Sequence, residues 1–252
     1  MSRNVAITIR NIGAGGGLEG YTARIARGFL ERGDRLFLLT AKGTLSHPSY
    51  THVPLRVSGW SPRRRMAAFD RACSTWGKLG EMDIVFGMDR TRYQTHIRAG
   101  NGCHAAFLAH TGKRPSPLDR TILDIEREAF SSPQLVRLFT NSHMVRRDIL
   151  SYYDVPEERI TVVHNGAPWH DCAEAFAASS ARSGPYHFLF VGHGFARKGL
   201  APLIKALEGL PARLSVIGKD KNIRSYIRLA RAHGLDATFY GARSPLPFYQ
   251  RA

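Results

Sequence analysis

The chain is poor in cysteine and in acid. Its three cysteines, Cys73, Cys103 and Cys172, are odd in number and far apart in 252 residues. That spacing excludes a disulfide framework and any Cys-x-x-Cys metal site. His143, His164 and His193 show no ligand spacing to one another, so no metal site is read. No run approaches the ~18 uninterrupted apolar residues of a membrane span. Met1–Arg10 alternates polar and apolar residues and lacks the apolar core of a signal peptide. A soluble, cytoplasmic protein of a reducing compartment is expected.

Acidic residues number 20 against 36 basic ones, a formal charge of +16. Lysine is scarce as well, at 7 of those 36, so arginine carries the excess. Planar arginine forks match phosphate oxygens, which suits nucleic acid, anionic lipid or a diphosphate ligand alike. Charge narrows the partners to acidic ones without choosing among them. With 43% hydrophobic and 22% charged residues the chain is too apolar for disorder and large enough for a core.

Strand and helix patterns alternate throughout, which predicts parallel β-α-β units. Strands are read at Val5–Ile9, Arg35–Thr40, His52–Val57, Asp83–Gly87, Leu135–Thr140 and Ile160–Val163. Helices are read at Leu18–Arg32, stopped by Gly33, and at Leu118–Phe130 and Met144–Tyr152, the last capped from Asn141-Ser142. Residues 167–186 turn small and Ala/Ser-rich and read as a linker, with Asp171–Ala178 as a short helix within it. Alternation restarts with strands His187–Val191, Leu214–Gly218 and Ala237–Tyr240 and helices Leu200–Leu210 and Ile223–His233. The expected domains are 1–166 and 187–252, the second a partial sheet with an open edge, less stable than the first.

Several segments could carry chemistry. Gly15-Gly16-Gly17-Leu18-Glu19-Gly20 satisfies G-x-G-x-x-G between a strand and a helix. A dinucleotide enzyme would also want an acidic residue closing the second strand, and Leu39-Thr40-Ala41-Lys42 offers none. A packing turn, or a loop approaching a phosphorylated or sugar ligand, stays open. Arg197-Lys198-Gly199 follows a strand and the turn Gly192-His193-Gly194, and stands before a helix whose N–H groups favour anions. It is a ligand site at the end of a parallel strand or a solvated basic loop. Arg98–His104 is a second glycine-rich loop, in which His104 lines a cleft or is a plain surface histidine. A Cys103 nucleophile lacks an orienting third group. Arg63-Arg64-Arg65 lies near Trp60, Met66 and Phe69, a cluster suited to an anionic membrane surface.

In their order, Gly15–Glu19, Arg98–His104, Asn141-Ser142, Asp154-Val155-Pro156, Ile160–Gly166 and Phe190-Val191-Gly192 through Arg197-Lys198-Gly199 form a set. This set resembles the family-four retaining glycosyltransferases of the GT-B fold, especially the lipopolysaccharide-core glucosyltransferases, over nearly the whole chain. The resemblance implies an α/β, GT-B-like protein with two Rossmann-like parallel-sheet domains, the second incomplete. It implies transfer of a sugar from a nucleotide-sugar co-substrate to a glycan or lipid-linked acceptor, with no other cofactor, at the inner face of the cytoplasmic membrane. Donor-phosphate contacts fall on Gly16, Gly17, Gly192, Arg197 and Lys198, catalytic roles on His104 and Glu19, and further cleft positions on Asn165 and Gly166. Where core-transferase relatives carry an aspartate after the glycine loop, this chain offers Glu19 and Tyr21. The family's paired glutamates and closing helix would fall beyond Ala252, so little transfer activity is expected of the chain as it stands. The alternatives are a nicotinamide-dependent dehydrogenase and an arginine-rich nucleic-acid-binding protein. The second has only its charge for support, with no nucleic-acid-binding motif, so no nucleic-acid partner is expected.

Overall fold

Val5–Thr8 is a continuous buried run, the pattern of a strand covered on both faces of a parallel sheet. It lies in β1 (Asn4–Thr8), which sits between β2 (Arg35–Thr40) and β4 (Ile84–Gly87) in a computed structural model that describes residues 2–12, 17–45, 49–166 and 185–249. With β3 (Thr51–Pro54), β5 (His96–Ala99), β6 (Arg137–Thr140) and β7 (Ile160–Val162), these strands form a seven-stranded parallel sheet. Its order is β3-β2-β1-β4-β5-β6-β7. The order reverses between β1 and β4, so the switch point opens at their carboxyl ends, where α/β sheets take ligands.

The helices cover the sheet for reasons visible in the sequence. In α1 (Gly17–Glu31), Ile25, Phe29 and Leu30 share the face that packs on Val5, Ile7 and Leu36. Gly33, at φ 79°, ends it as the glycine of a left-handed cap. α2 (Pro62–Ser74) starts from Ser61, whose hydroxyl accepts the Arg64 N–H, with proline in the first turn. α3 (His104–Thr111) and α4 (Pro117–Phe130) follow, and α4 opens with a capping box between Ser116 and Asp119. α5 (His143–Tyr152) is capped by Ser142, as expected.

Chain contacts divide the molecule into two units, Met1–Asn165 and Gly166–Ala252. The second holds a three-stranded parallel sheet, β10-β9-β8, of β8 (Tyr186–Val191), β9 (Ala212–Ile217) and β10 (Asp236–Gly241). Its helices are α6 (Phe195–Lys198), α7 (Leu200–Ala206), α8 (Ile223–Ala232) and α9 (Leu246–Tyr249). Phe195 is fully buried at the centre of this core, with edge-on ring contacts to Phe190 and Tyr226 at 5.7 and 5.3 Å.

Three expectations need correction. The segment read as a glycine-rich loop begins inside β5 and ends in α3. The Arg98 side of the four-residue strand is polar, and α3 carries no clear apolar stripe, so neither gives a strong periodic signal. The helix read as Leu200–Leu210 ends at Ala206. Tyr186, placed in the linker, opens β8, while the rest of that linker, 167–184 with its proposed helix, lies outside the described residues.

Each strand of the second sheet ends at its carboxyl edge in glycine: Gly192, Gly218 and Gly241. Gly218 adopts φ +147°, and a Cβ there would stand 1.8 Å from the Gly192 carbonyl oxygen. Gly218→Ala should therefore destabilise the second unit, by at least the ~1–3 kcal/mol typical of a strained backbone site. The measurement is denaturant unfolding followed by the chemical shifts of β8–β10, and an unaltered transition would contradict the packing described.

Candidate functional site

In the second unit the phosphate candidates rest on an anchored turn. The Gly192 N–H donates to the Ile217 carbonyl at 2.9 Å and the Gly194 N–H to that of Lys219 at 3.1 Å. The Phe195 N–H donates to Asp220 Oδ2 at 2.7 Å, and the buried Phe195 ring pins the turn from below. Arg197 and Lys198 stand exposed in the last turn of α6, and Gly199 (φ 79°) breaks the helix immediately before α7. Both cations thus sit in a helical turn of their own and not in an open loop. Among the described residues no carboxylate pairs with either. The Lys198 stem crosses Gly192, where a Cβ would lie 3.3 Å from its Cγ. Gly192, Arg197 and Lys198 therefore form one patch at the carboxyl end of β8.

In the first unit, Asn165 is brought together with Arg98 and Tyr21. Arg98 donates to Asn165 Oδ1 at 3.0 Å and lies over the Tyr21 ring at 4.0 Å. Gly100 makes room for it, since a Cβ there would fall 1.7 Å from the Arg98 guanidinium. Gly166 opens the second unit and makes no contact a side chain would block. Gly17 is the first residue of α1 and its missing Cβ would meet nothing within 4 Å, so no crowding demands glycine there. Gly16 lies outside the described residues. Glu19 falls in the first turn of α1, where an acid suits the helix dipole, and no side-chain partner joins it to His104 among the described residues.

His104 is less open than the sequence implied. Its Nε2 is 2.9 Å from Asp119 Oδ1, its ring stacks on Phe107, and its side chain is only 11% exposed. One ring nitrogen is therefore taken, and Nδ1 is left for a ligand. The orienting carboxylate was missed because it stands 15 residues away, on the capping box of α4. Hydrogen bonds from Ser116, then the contact with His104, hold the Asp119 carboxyl below its usual pKa. Cys103 is buried at the start of α3, and burial pushes its thiol up, away from a nucleophile's range.

Behind His104 lies a second group that the sequence did not signal. Glu126, 2% exposed, accepts from the Arg90 Nε–H at 2.7 Å, the His104 backbone N–H at 3.0 Å and the Tyr153 hydroxyl at 2.7 Å. The Tyr153 hydroxyl is pushed up by burial and by the Glu126 charge, so it stays a donor. Arg92 pairs with Asp70 and Glu128 close by. The rings of His143 and His164, read as unrelated, lie 5.8 Å apart, but among the described residues no third ligand completes a metal set.

The membrane cluster also changes. Phe69 is 1% exposed and belongs to the interior. Trp60, 79% exposed and covered by Arg64 at 4.9 Å, keeps the outward place. The dinucleotide alternative finds no support at the end of β2. Thr40 there bonds the Gly43 carbonyl and faces His52, and Lys42 stands where a ribose carboxylate is wanted.

Two parallel-sheet α/β units, the first with a seven-stranded sheet and the second with a smaller one, define the GT-B class. The model of the family "Glycosyltransferase Family 4" matches residues 15–168, and the chain belongs to that family. A probable transglycosylase of Burkholderia thailandensis is 27% identical over 152 residues, covering 59% of this chain and 41% of the relative. The chain thus spans about two fifths of the length of that curated relative. Among solved structures it is similar to WaaG, a glycosyltransferase involved in lipopolysaccharide biosynthesis, with TM-score 0.82 and 21% identity. That match covers 98% of this chain and 72% of the other. It is also similar to Anabaena HepE in complex with UDP and glucose, with TM-score 0.62 and 13% identity over 97% and 71% of the two chains.

The Asp119 contacts make a pH prediction. Because its pKa is depressed in the fold, its contribution to stability is complete above the ordinary carboxylate value of 3.8 and is lost as pH falls through the folded value. Asp119→Asn should lower stability by ~1 kcal/mol at pH 7, as loss of a helix cap does. The gap from the native chain should narrow in acid. Denaturant titrations at pH 7 and below 3.8 measure it, and a gap independent of pH would oppose the role given to Asp119.

Proposed function

We propose that the protein takes part in moving a sugar from a nucleotide-sugar donor to a glycan or lipid-linked acceptor of the cell envelope. The observation that carries this reading is membership of glycosyltransferase family 4 across residues 15–168. The similarity to HepE, described with UDP and glucose, supports a donor of that chemical kind.

In such a transfer the bond between sugar C1 and the diphosphate oxygen breaks, and its electron pair stays on the leaving phosphate. The acceptor oxygen bonds to C1, and its proton ends on the leaving phosphate oxygen. Negative charge therefore grows on the phosphate, and fixed cations stabilise it most where they need no rearrangement. Arg197 and Lys198, with no carboxylate partner among the described residues and on a turn anchored by Phe195 and Asp220, are suited to that task without a metal ion. Gly192 lets the Lys198 stem lie flat against the backbone. Among Gly16, Gly17, Asn165 and Gly166, the reading assigns the glycine loop to donor phosphates and Asn165 to holding Arg98. His104, its Nε2 held by Asp119, would offer Nδ1 to a sugar hydroxyl. Glu19 is the remaining candidate for handling the acceptor.

The test is donor binding. UDP titrated calorimetrically into the full chain should bind, and Arg197→Ala/Lys198→Ala should weaken it by ~1.5–3 kcal/mol for each charged hydrogen bond removed. Equal affinity in the variant would remove these cations from the site.

The reading also places the protein at the inner, cytoplasmic face of a membrane, where lipid-linked acceptors and nucleotide sugars meet. No described helix is long and apolar enough to cross a bilayer. Trp60 with Arg63, Arg64 and Arg65 would instead lie on an anionic surface, each basic residue near it contributing about 1 kcal/mol. In vesicle flotation, Trp60→Ala/Arg64→Ala should reduce recovery with phosphatidylglycerol vesicles at low salt. Partitioning that is the same on neutral and anionic vesicles would argue against this surface.

A further inference from the structure

At the carboxyl ends of β1 and β2 the first unit has a cavity of ≈ 390 Å³, and Arg10, Asn11, Lys42, Pro62 and Arg65 are among the residues lining it. Its cations arrive from three elements: Arg10 from the end of β1, Lys42 from the end of β2, and Arg65 from the first turn of α2. The two loops that carry Arg10 and Lys42 are laced together. The Ile12 N–H donates to the Lys42 carbonyl at 2.8 Å, and the Lys42 N–H to that of Arg10 at 3.1 Å. Gly43, at φ +79°, presses so close to Ile12 that a Cβ would lie 1.8 Å from its carbonyl oxygen. Convergence of Arg10 and Lys42 is thus built into the backbone, while Arg65 gives one Nη1–H to the Gly59 carbonyl at 3.1 Å.

Among the described residues none of these three side chains has a carboxylate partner, although Arg3, Arg90, Arg92 and Arg146 all do. Asp89 lines the adjoining pocket, and its Oδ2 already accepts the Arg10 backbone N–H at 2.8 Å. Arg63, Arg64 and Arg65 also fill the first turn of α2, where the helix dipole disfavours positive charge. Sequence choices that oppose local stability accumulate where a ligand compensates them. Cations converging with an amide and a helix start suit a group with several anionic oxygens, which is a phosphate in preference to a carboxylate.

We propose that this cavity binds a phosphate monoester carried by the acceptor, a role that rests on the glycosyl-transfer reading only for the word acceptor. The phosphate could reach the protein on a soluble sugar or on a lipid headgroup, and the experiment separates the two. The full chain is titrated calorimetrically with glucose 6-phosphate, with glucose, and with inorganic phosphate. It is also floated with vesicles containing phosphatidic acid. Glucose 6-phosphate and inorganic phosphate should bind and glucose should not. Lys42→Ala/Arg65→Ala changes two exposed side chains, and melting curves check its fold. It should weaken phosphate binding about tenfold for each cation removed, whereas Lys42→Arg should retain it. Binding to phosphatidic acid that fails in Lys42→Ala, while flotation with phosphatidylglycerol vesicles is unchanged in that variant, would put the phosphate on a lipid. No binding of any phosphate ligand, or affinity unchanged in the double variant, overturns the proposal. UDP affinity is read in parallel. If UDP binds and the phosphate esters do not, this site falls and the donor reading stands. If the esters bind through Lys42 and Arg65 and UDP does not, the site stands and the donor reading falls.

Discussion

A carboxylate buried among apolar side chains must collect donors on both oxygens, or it would be driven to take up a proton. Glu126 meets that demand with groups from three parts of the first unit: the loop after β4, the start of α3 and the segment after α5. Removing any one donor would leave charge uncompensated in the interior, and the cost would fall on the others. The position of His104 is therefore set by its backbone N–H before its ring meets anything. Asp119 then fixes the ring, and Arg90, held by the same carboxylate, borders the pocket at the switch point. One interior charge thus ties together the segments that follow β4 and β5.

The second unit is organised by shape instead of charge. Phe195 plays the central part, filling the space under the turn that carries Arg197 and Lys198. Glycine at the end of each strand leaves a floor of bare backbone beside those cations. On the donor reading proposed above, close approach of a phosphate needs both features, since a Cβ on the floor or a loose turn would hold it away from these cations.

The alternation of strands and helices, and the helix start at Ser142, were legible because they depend on neighbours in sequence. Cores also follow from local pattern, as Val5–Thr8 and the Ile25/Phe29/Leu30 face demonstrate. What could not be read joins distant positions. Asp119 with His104, Glu126 with Tyr153, Tyr21 with Arg98 and Asn165, and His143 with His164 are separated by 15 to 144 residues, and no period marks them. The strand β5 and the helix α3 escaped for another reason. One is four residues long and the other is apolar without a preferred side. Phe69 was misplaced because a basic, aromatic stretch looks alike whether its ring turns outward or inward, and the packing of α2 decides which.

The burial of Cys73 and Cys103 has a kinetic consequence. Both thiols belong to the first unit, and burial makes both less acidic than an ordinary thiol. Buried and held in the thiol form, both react slowly while α2 and α3 stay in place, so alkylation quickens when the structure opens. Each thiol then acts as a clock for its own helix. Cys73 keeps time for the α2 side, and Cys103 for the stretch that Glu126 holds. If the buried carboxylate makes the sheet edge one cooperative body, the two clocks run together; if it secures α3 alone, they run apart.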